Sequence, residues 1–235
     1  MFSKVLGYKV FNKDEEELFK YISEFNKVHI ISGNPEVLNN GLKNEELFNN
    51  FTSENSIIIP DGIGTVIASK ALNQGVQKKI AGIEVMEKLL EKCEAEGRSI
   101  YLLGTKEEVL QKCIRNLKIK HPRLIVLGSH NGFFDLNNCS ELITEINKLK
   151  PYALFVAMGA PRQELFITKY MDELNANIFM GVGGCFDVFA GEVKRAPKWM
   201  INLGLEWLYR VSKEPYRVKR LGSIPAFIAK AIFKS

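Results

Sequence analysis

Short apolar runs alternate with amphipathic segments along most of this chain. Six runs of four to seven residues are rich in aliphatic and β-branched side chains, which is typical of buried strands. Between them, apolar residues recur every three or four positions, which indicates helices with one buried face. The predicted strands are Val28–Ser32, Ser56–Ile59, Ser99–Leu103, Leu124–Leu127, Tyr152–Met158 and Asn177–Val182.

This alternation predicts an α/β fold. Apolar strands separated by helices form a mostly parallel sheet covered on both faces, a Rossmann-like arrangement. Residues 4–10 are expected to add a small strand or hairpin ahead of the first helix. The clearest helical stripes lie in Leu18–Phe25, Val85–Cys93, Val109–Leu117 and Leu142–Leu149.

Charge divides the 235 residues into two unequal parts. The chain carries +5 at pH 7, but residues 195–235 contain nine Lys or Arg and two Glu, so that segment carries +7 and residues 1–194 carry −2. We therefore expect an α/β domain at 1–194 and a basic, helical, amphipathic appendage at 195–235. Such asymmetry favours an anionic partner: a membrane surface, a nucleic acid or phosphate groups.

The appendage combines its positive charge with aromatic residues. Both tryptophans, Trp199 and Trp207, lie there, and tryptophan beside Arg and Lys suits the headgroup layer of a membrane. Residues Ile224–Phe233 are expected to form a short apolar helix lying on that surface. The alternative is a docked subdomain whose charges are simply solvated. No apolar run approaches the roughly 20 residues that a transmembrane helix needs.

The cysteines and histidines give no sign of a disulfide or metal site. The four cysteines are far apart along the chain, and the three histidines lack metal-ligand spacing. Cys93 and Cys113 fall on apolar helix stripes and are expected in the core. The chain also begins without a signal-peptide pattern, so a reduced cytoplasmic setting is expected.

Polar and glycine residues gather directly after the predicted strands. In an open parallel sheet these loops share one edge, where ligands bind. Asp61 follows the strand Ser56–Ile59, and a carboxylate there would suit a general base for an incoming hydroxyl. The alternative is a turn residue or a helix N-cap. Ser32 and Asn34 follow the first long strand and suit sugar or uracil hydrogen bonds, although both are also turn formers.

Two glycine-containing loops follow the last two strands. In Gly159–Glu164 a proline opens a helix, whose N-terminal N–H groups would suit a phosphate or sugar oxygen, and Arg162 and Gln163 are expected to project near the same point. The loop Gly181–Asp187 allows close approach of a ligand at Gly183 and Gly184, and it places Asp187 at the same edge. A well-made helix start and a tight turn are the structural alternatives.

The chain contains no Asp-x-Asp pair, which many nucleotide-sugar enzymes use to hold a metal on the diphosphate. A diphosphate would then be neutralised by Arg, Lys or helix N-termini. Arg210, Arg217 and Arg220 of the appendage are candidates because arginine pairs with phosphate through two hydrogen bonds. We expect neither a metal nor another cofactor.

The ordered set of these motifs resembles the WecG/TagA/CpsF family, glycosyltransferase family 26, from about Asn34 to Arg220. Each motif is weak alone, and the set is quite specific. The matching segments are Asn34–Glu36, Pro60–Gly64, Met158–Glu164, Gly181–Asp187, Gly191, Arg195–Pro197, Leu205–Trp207, Arg210 and Glu214–Arg217.

The resemblance implies an inverting, metal-independent transferase that moves a sugar from a UDP-sugar donor to a polyprenyl-diphosphate-linked N-acetylglucosamine acceptor. The best-known members transfer N-acetylmannosamine in wall teichoic acid linkage-unit synthesis. It implies Asp61 as the base, with Ser32, Asn34 and Gln163 as sugar or nucleotide contacts. The three appendage arginines become diphosphate binders at an anionic membrane surface, on the inner face of the plasma membrane.

Three positions depart from the family pattern. Ser32 stands where Thr is frequent, which keeps the hydroxyl. Lys79 stands where Arg is usual, which keeps the charge of a phosphate contact but loses the two-pronged geometry of a guanidinium. Glu84 stands where Asp is frequent and reaches one methylene further.

Alternatives concern the donor and the partner. Other family members transfer N-acetylmannosaminuronic acid or a hexose, and the residues do not decide between these donors. A non-catalytic nucleic-acid-binding protein would also explain the basic appendage, but no nucleic-acid motif is present and no nucleic-acid partner is expected. Family members self-associate, so a homo-oligomer is a further expectation.

Overall fold

The structure is a computed structural model that describes residues 1–73, 75–76, 78–202, 205–213 and 222–233. Within these residues the strands form one sheet in the order β1-β2-β4-β3-β8-β7-β5-β6. Strands β1 and β2 form an antiparallel hairpin, and the other neighbours are parallel. The strands are β1 (Phe2–Val5), β2 (Tyr8–Phe11), β3 (Val28–Ser32), β4 (Ser56–Ile59), β5 (Ser99–Gly104), β6 (Ile125–His130), β7 (Ala153–Ala157) and β8 (Ile178–Gly181).

Helices cover both faces of the sheet, as the sequence predicts. Helices α1, α5, α6 and α9 pack on one face, and α2, α3, α4, α7, α8 and α12 pack on the other. The helices are α1 (Glu15–Ile22), α2 (Pro35–Gly41), α3 (Glu45–Thr52), α4 (Ile63–Ala71), α5 (Gly82–Ala95), α6 (Glu107–Lys120), α7 (Ser140–Leu149), α8 (Arg162–Tyr170), α9 (Cys185–Phe189), α10 (Lys198–Asn202), α11 (Glu206–Lys213) and α12 (Ser223–Phe233).

Alternation of side chains along each strand divides the core into layers. Ile57 and Ile59 of β4 belong to the cluster beneath α1 and α5, whereas Ile58 belongs to the cluster beneath α2 and α4. Successive side chains of a strand point to opposite faces, so a central strand with helices on both sides is apolar at nearly every position, and a buried polar side chain such as His29 of β3 needs a hydrogen-bond partner, here Asn50. This requirement explains the uninterrupted apolar runs of the sequence.

The sequence locates the elements well and their ends less well. The hairpin expected at residues 4–10 is confirmed as β1 and β2. Strand β6, predicted at Leu124–Leu127, runs instead from Ile125 to His130, because its pairing with β5 continues as far as Leu103 and His130. The strand ends in Gly128, Ser129 and His130, which do not continue the apolar run from which the strand was predicted.

The four cysteines, Cys93, Cys113, Cys139 and Cys185, are buried thiols. Cys93 and Cys113 lie in the core as expected, and burial raises the pKa of each thiol to about 12. Both thiols are therefore protonated and unreactive at neutral pH.

The last helix, α12, is packed on the body of the protein. Phe227 and Ala231 are fully buried in the cluster with α2 and α4. Asn39 of α2 donates to the carbonyl of Ser223 at 3.1 Å and accepts from Lys230 Nζ at 3.1 Å. One face of the helix thus belongs to the core, and only the opposite face, which includes Phe233 at 85% exposure, is available to a membrane.

No helix among the described residues combines the length and the apolar character required to cross a membrane.

The docking of α12 can be tested with two phenylalanines of the same helix. Phe227→Ala should lower the free energy of unfolding by about 3–5 kcal/mol because it leaves a cavity in the core. Phe233→Ala is the matched control and should change it by no more than about 0.5 kcal/mol. Chemical denaturation of both variants provides the measurement. Equal, small effects would show that α12 does not belong to the core.

Candidate functional site

A cavity of about 420 Å³ opens at the carboxyl ends of four adjacent strands, β4, β3, β8 and β7. After β3 the chain crosses to β4 through α2 and α3, which cover one face of the sheet. After β8 it enters α9, which covers the opposite face and packs against α6. The crevice between two such strands is where ligands bind in open α/β sheets. The cavity therefore lies where the sequence placed its unusual polar residues.

Most of the predicted site residues meet in this cavity. Its lining includes Ser32, Asn34, Asp61, Lys79, Gln163, Gly183, Gly184 and Asp187. The side chain of Arg210 and the whole of Arg217 and Arg220 lie outside the described residues.

Asp61 is held by a hydroxyl from the neighbouring strand. Ser32 Oγ donates to Asp61 Oδ2 at 2.5 Å. The N-cap of α4 is Gly62, and no side-chain hydrogen bond caps that helix, so Asp61 does not act as an N-cap. Gly82, at the start of α5, lies so close that a Cβ there would be 3.3 Å from Asp61 Oδ2. The carboxylate thus lines the cavity, and its Oδ2 is held by the Ser32 hydroxyl.

Asn34 performs the structural role that its residue type favours. Its side-chain oxygen accepts from the backbone N–H groups of Glu36 and Val37 and so caps α2. Its amide nitrogen lies 3.5 Å from Ser32 Oγ, and Asn34 also lines the cavity.

Gln163 and Glu164, at the start of α8, are both buried, with 3% of each residue exposed. Gln163 Nε2 donates to Glu164 Oε1 at 2.7 Å, and Gln163 Oε1 accepts from the N–H of Gly183 at 3.0 Å. Burial raises the pKa of the Glu164 carboxyl from its ordinary value of 4.5 to about 7, and the bond from Gln163 acts in the opposite direction. This chain of bonds links the buried carboxyl to the glycine loop of the cavity.

Arg162 lies outside the cavity, which differs from the expectation that it projects beside Gln163. Successive helix residues point about 100° apart. Its guanidinium donates to the carbonyls of Gly132 and Phe134 and lies 5.4 Å from the centre of the Phe134 ring. Arg162 borders a second, open depression with Thr105 and Asp135.

The C-terminal helices also contribute to the cavity. Lys79 Nζ lies 3.4 Å from Glu206 Oε2 of α11, and both residues line the cavity. Arg195 reaches Glu84 on α5 at 3.1 Å. Two ion pairs therefore join residues beyond 194 to the α/β body. Lys79 and Glu84, two of the positions that depart from the family pattern, each take part in one.

Acidic groups outnumber basic groups in the described lining. Glu36, Asp61, Asp187 and Glu206 face the cavity, and Lys79 is the cation among the lining residues that the structure describes. The N-terminal turns of α2, α4, α5, α8 and α9 also line it, and helix N-termini carry partial positive charge. No group of three or more His, Cys, Asp or Glu residues in the described part of the chain could hold a metal ion.

Comparison with known proteins identifies the family. The sequence profile of the Glycosyl transferase WecG/TagA/CpsF family matches residues 3–235. The chain belongs to this family. It is therefore a glycosyltransferase, in agreement with the motifs that meet in the cavity.

Three relatives of this glycosyltransferase share the name N-acetylglucosaminyldiphosphoundecaprenol N-acetyl-beta-D-mannosaminyltransferase. The chain is 36% identical to that protein of Bacillus subtilis (strain 168) over 207 residues, which are 88% of this chain and 80% of the relative. It is 32% identical to that of Bacillus spizizenii over 212 residues, 90% and 81% of the two chains. It is 36% identical to that of Staphylococcus aureus (strain MW2) over 208 residues, 87% and 80%.

Sequence reasoning missed Glu164 and Glu206 as residues of this glycosyltransferase site. Glu164 precedes the buried Ile167 and Met171 by three and seven positions, so helical spacing already places it on the buried face of α8. Glu206 gave no such signal, because its partner Lys79 is 127 residues away.

The buried carboxyl predicts a pH dependence that Glu164→Gln should remove. Between about pH 4.5 and 7 the unfolded chain releases the proton of Glu164 while the folded protein retains it. Wild-type stability should therefore fall across this interval relative to the variant, by on the order of 3 kcal/mol. Urea denaturation from pH 4 to pH 8 provides the measurement. Parallel pH profiles of the two proteins would contradict the assignment.

Proposed function

We propose that this glycosyltransferase moves N-acetylmannosamine from UDP-N-acetylmannosamine to a polyprenyl-diphosphate-linked N-acetylglucosamine, in wall teichoic acid or related cell-surface polysaccharide synthesis. The observation that carries the proposal is the Asp61 carboxylate, anchored by Ser32 in a cavity at the sheet edge. The names of the relatives supply the acceptor and the transferred sugar.

The proposed chemistry is a single displacement with inversion. Asp61 takes the proton from the acceptor hydroxyl while the oxygen of that hydroxyl attacks the anomeric carbon of the donor. The bond between the anomeric carbon and UDP breaks in the same step, and UDP leaves. Because Ser32 occupies Oδ2, Oδ1 is the oxygen assigned to the acceptor. Gln163, Asn34 and the loop at Gly183 and Gly184 contact the donor from the surrounding wall.

The leaving diphosphate requires positive charge, and the cavity offers it mainly as helix N-termini. The helices that begin at the cavity include α2, α4, α5 and α8, and Lys79 adds a full charge shared with Glu206. This supply supports a reaction without a metal. We assign the remaining neutralisation to Arg210, Arg217 and Arg220, which come from the same segment as Glu206.

The shared name of the relatives favours N-acetylmannosamine over N-acetylmannosaminuronic acid or a hexose as the transferred sugar.

We place the enzyme in the cytoplasm, peripherally on the inner face of the plasma membrane, where a lipid-linked acceptor would be reached. Trp199 is 60% exposed, Leu208 45%, Ile232 50% and Phe233 85%. All four lie in the basic segment 195–235, and apolar side chains combined with Lys and Arg bind anionic bilayers.

Asp61→Asn tests the assignment of the base. The amide keeps the size of the side chain but cannot take a proton, so kcat should fall by about 10²- to 10⁴-fold while the Kd for UDP-N-acetylmannosamine changes less than about threefold. Asp172→Asn, at an exposed position away from the cavity, is the matched control and should behave like wild type. Radiolabelled sugar transfer and calorimetric binding give the two numbers. Normal turnover in Asp61→Asn would remove this residue from the mechanism.

Substituting surface residues tests membrane attachment without disturbing the core. Ile232→Ser with Phe233→Ser should lower binding to anionic vesicles about tenfold, because both side chains are exposed on α12. Ile119→Ser on α6, 78% exposed, is the control at a site outside the basic segment. Sedimentation with phosphatidylglycerol vesicles measures the difference. Equal loss in both proteins would contradict attachment through α12.

A further inference from the structure

The amide of Gln163 is fixed by two partners of opposite kind. The N–H of Gly183 donates to Gln163 Oε1 at 3.0 Å. Gln163 Nε2 in turn donates to Glu164 Oε1 at 2.7 Å. The backbone N–H of Gly183 can only donate, so the reversed amide would place Nε2 against that N–H group and leave it without an acceptor. The contacts therefore permit one orientation of the Gln163 side chain.

We propose that Glu164 is a positioning residue for donor binding, and that it acts through Gln163. By engaging one hydrogen of Nε2 it leaves the second hydrogen for an acceptor in the cavity, such as a phosphate or sugar oxygen of the donor. Through the same amide it holds the Gly183 N–H and with it the glycine loop. The proposal rests on the proposed function, since it assumes that the donor occupies this cavity.

The side chains of Gln163 and Glu164 fill the space beside Gly181. A Cβ on Gly181, in β8, would lie 2.6 Å from Gln163 Nε2 and 3.1 Å from Glu164 Oε1. Real Cβ atoms do not approach a buried nitrogen so closely, so the absence of a side chain at position 181 is a condition for the observed amide orientation. Three parts of the chain, α8, β8 and the loop after β8, thus meet at one amide.

Burying the Glu164 carboxyl carries a desolvation cost that a purely structural hydrogen bond does not require. The side chain is buried, its Oε2 has no hydrogen-bond partner among the described residues, and Glu36 adds a like charge nearby. An apolar residue of the same length would avoid this desolvation cost. Glu164 does not line the cavity, whereas Gln163 does. The benefit that offsets the cost is therefore the orientation of Gln163.

A double-mutant cycle tests this role. Glu164→Met replaces the carboxyl with an unbranched apolar side chain and should raise the KM for UDP-N-acetylmannosamine about tenfold, with kcat changed less than about threefold. Gln163→Ala alone should raise that KM at least as much. Adding Glu164→Met to Gln163→Ala should then change the KM less than twofold, because a residue that acts through Gln163 has nothing left to position.

Two further variants keep the test decisive if Glu164→Met folds poorly. Glu164→Gln retains a carbonyl that can accept from Gln163 and should bring the KM back to within about threefold of wild type. Gly181→Ala retains the Glu164 side chain but crowds the Gln163 amide most closely, so it should raise the donor KM in the wild-type background and have little effect beside Gln163→Ala. Circular dichroism and thermal unfolding confirm that each variant is folded.

The outcomes separate this inference from the proposed function. If wild type binds UDP and transfers the sugar but Glu164→Met has a normal donor KM, or effects that add fully to those of Gln163→Ala, Glu164 is only structural and the inference fails. If wild type neither binds UDP by calorimetry nor transfers sugar from any UDP-sugar, the proposed function fails first.

Discussion

The parallel register of β3 and β4 sets the geometry of the site. Ser32 pairs with Ile59, and the chain delivers Asp61 two residues later, within reach of the Ser32 hydroxyl. A slip by one residue would turn these side chains to the other face of the sheet. Gly33 allows the close approach, because a Cβ there would lie 2.4 Å from Ile58 Cγ2 and 2.6 Å from the Ile59 carbonyl oxygen.

A second consequence of parallel strands is electrostatic. Each strand is followed by a helix that starts at the same edge, so the partial positive charges of several helices accumulate where the acidic side chains also lie. Acidic side chains and an anionic ligand can therefore share the cavity without making it wholly repulsive. Two residues beyond 194 are tied to the α/β body, since Glu206 pairs with Lys79 and Arg195 pairs with Glu84.

The sequence predicts the fold and the position of Asp61, because both follow from local patterns: apolar runs, helical spacing and a polar residue after a strand. It does not predict which side chains touch. Ser32 and Asp61 are 29 residues apart, and Lys79 and Glu206 are 127 apart, so their contacts depend on strand order and helix packing. Arg162 shows the same limit, since adjacency to Gln163 did not place it in the same cavity. For Arg217 and Arg220 the prediction stays untested.

The helix that completes the core also forms part of the cavity wall. Ser223 and Ile224 of α12 line the cavity, while Phe227 and Ala231 of the same helix fill the space above α2 and α4. Local unfolding of α12 would therefore open the cavity and expose the core in one event. By thermodynamic linkage, a ligand that contacts this wall makes that opening rarer. Hydrogen exchange of the α12 amides then reports whether the cavity at the start of this helix is occupied.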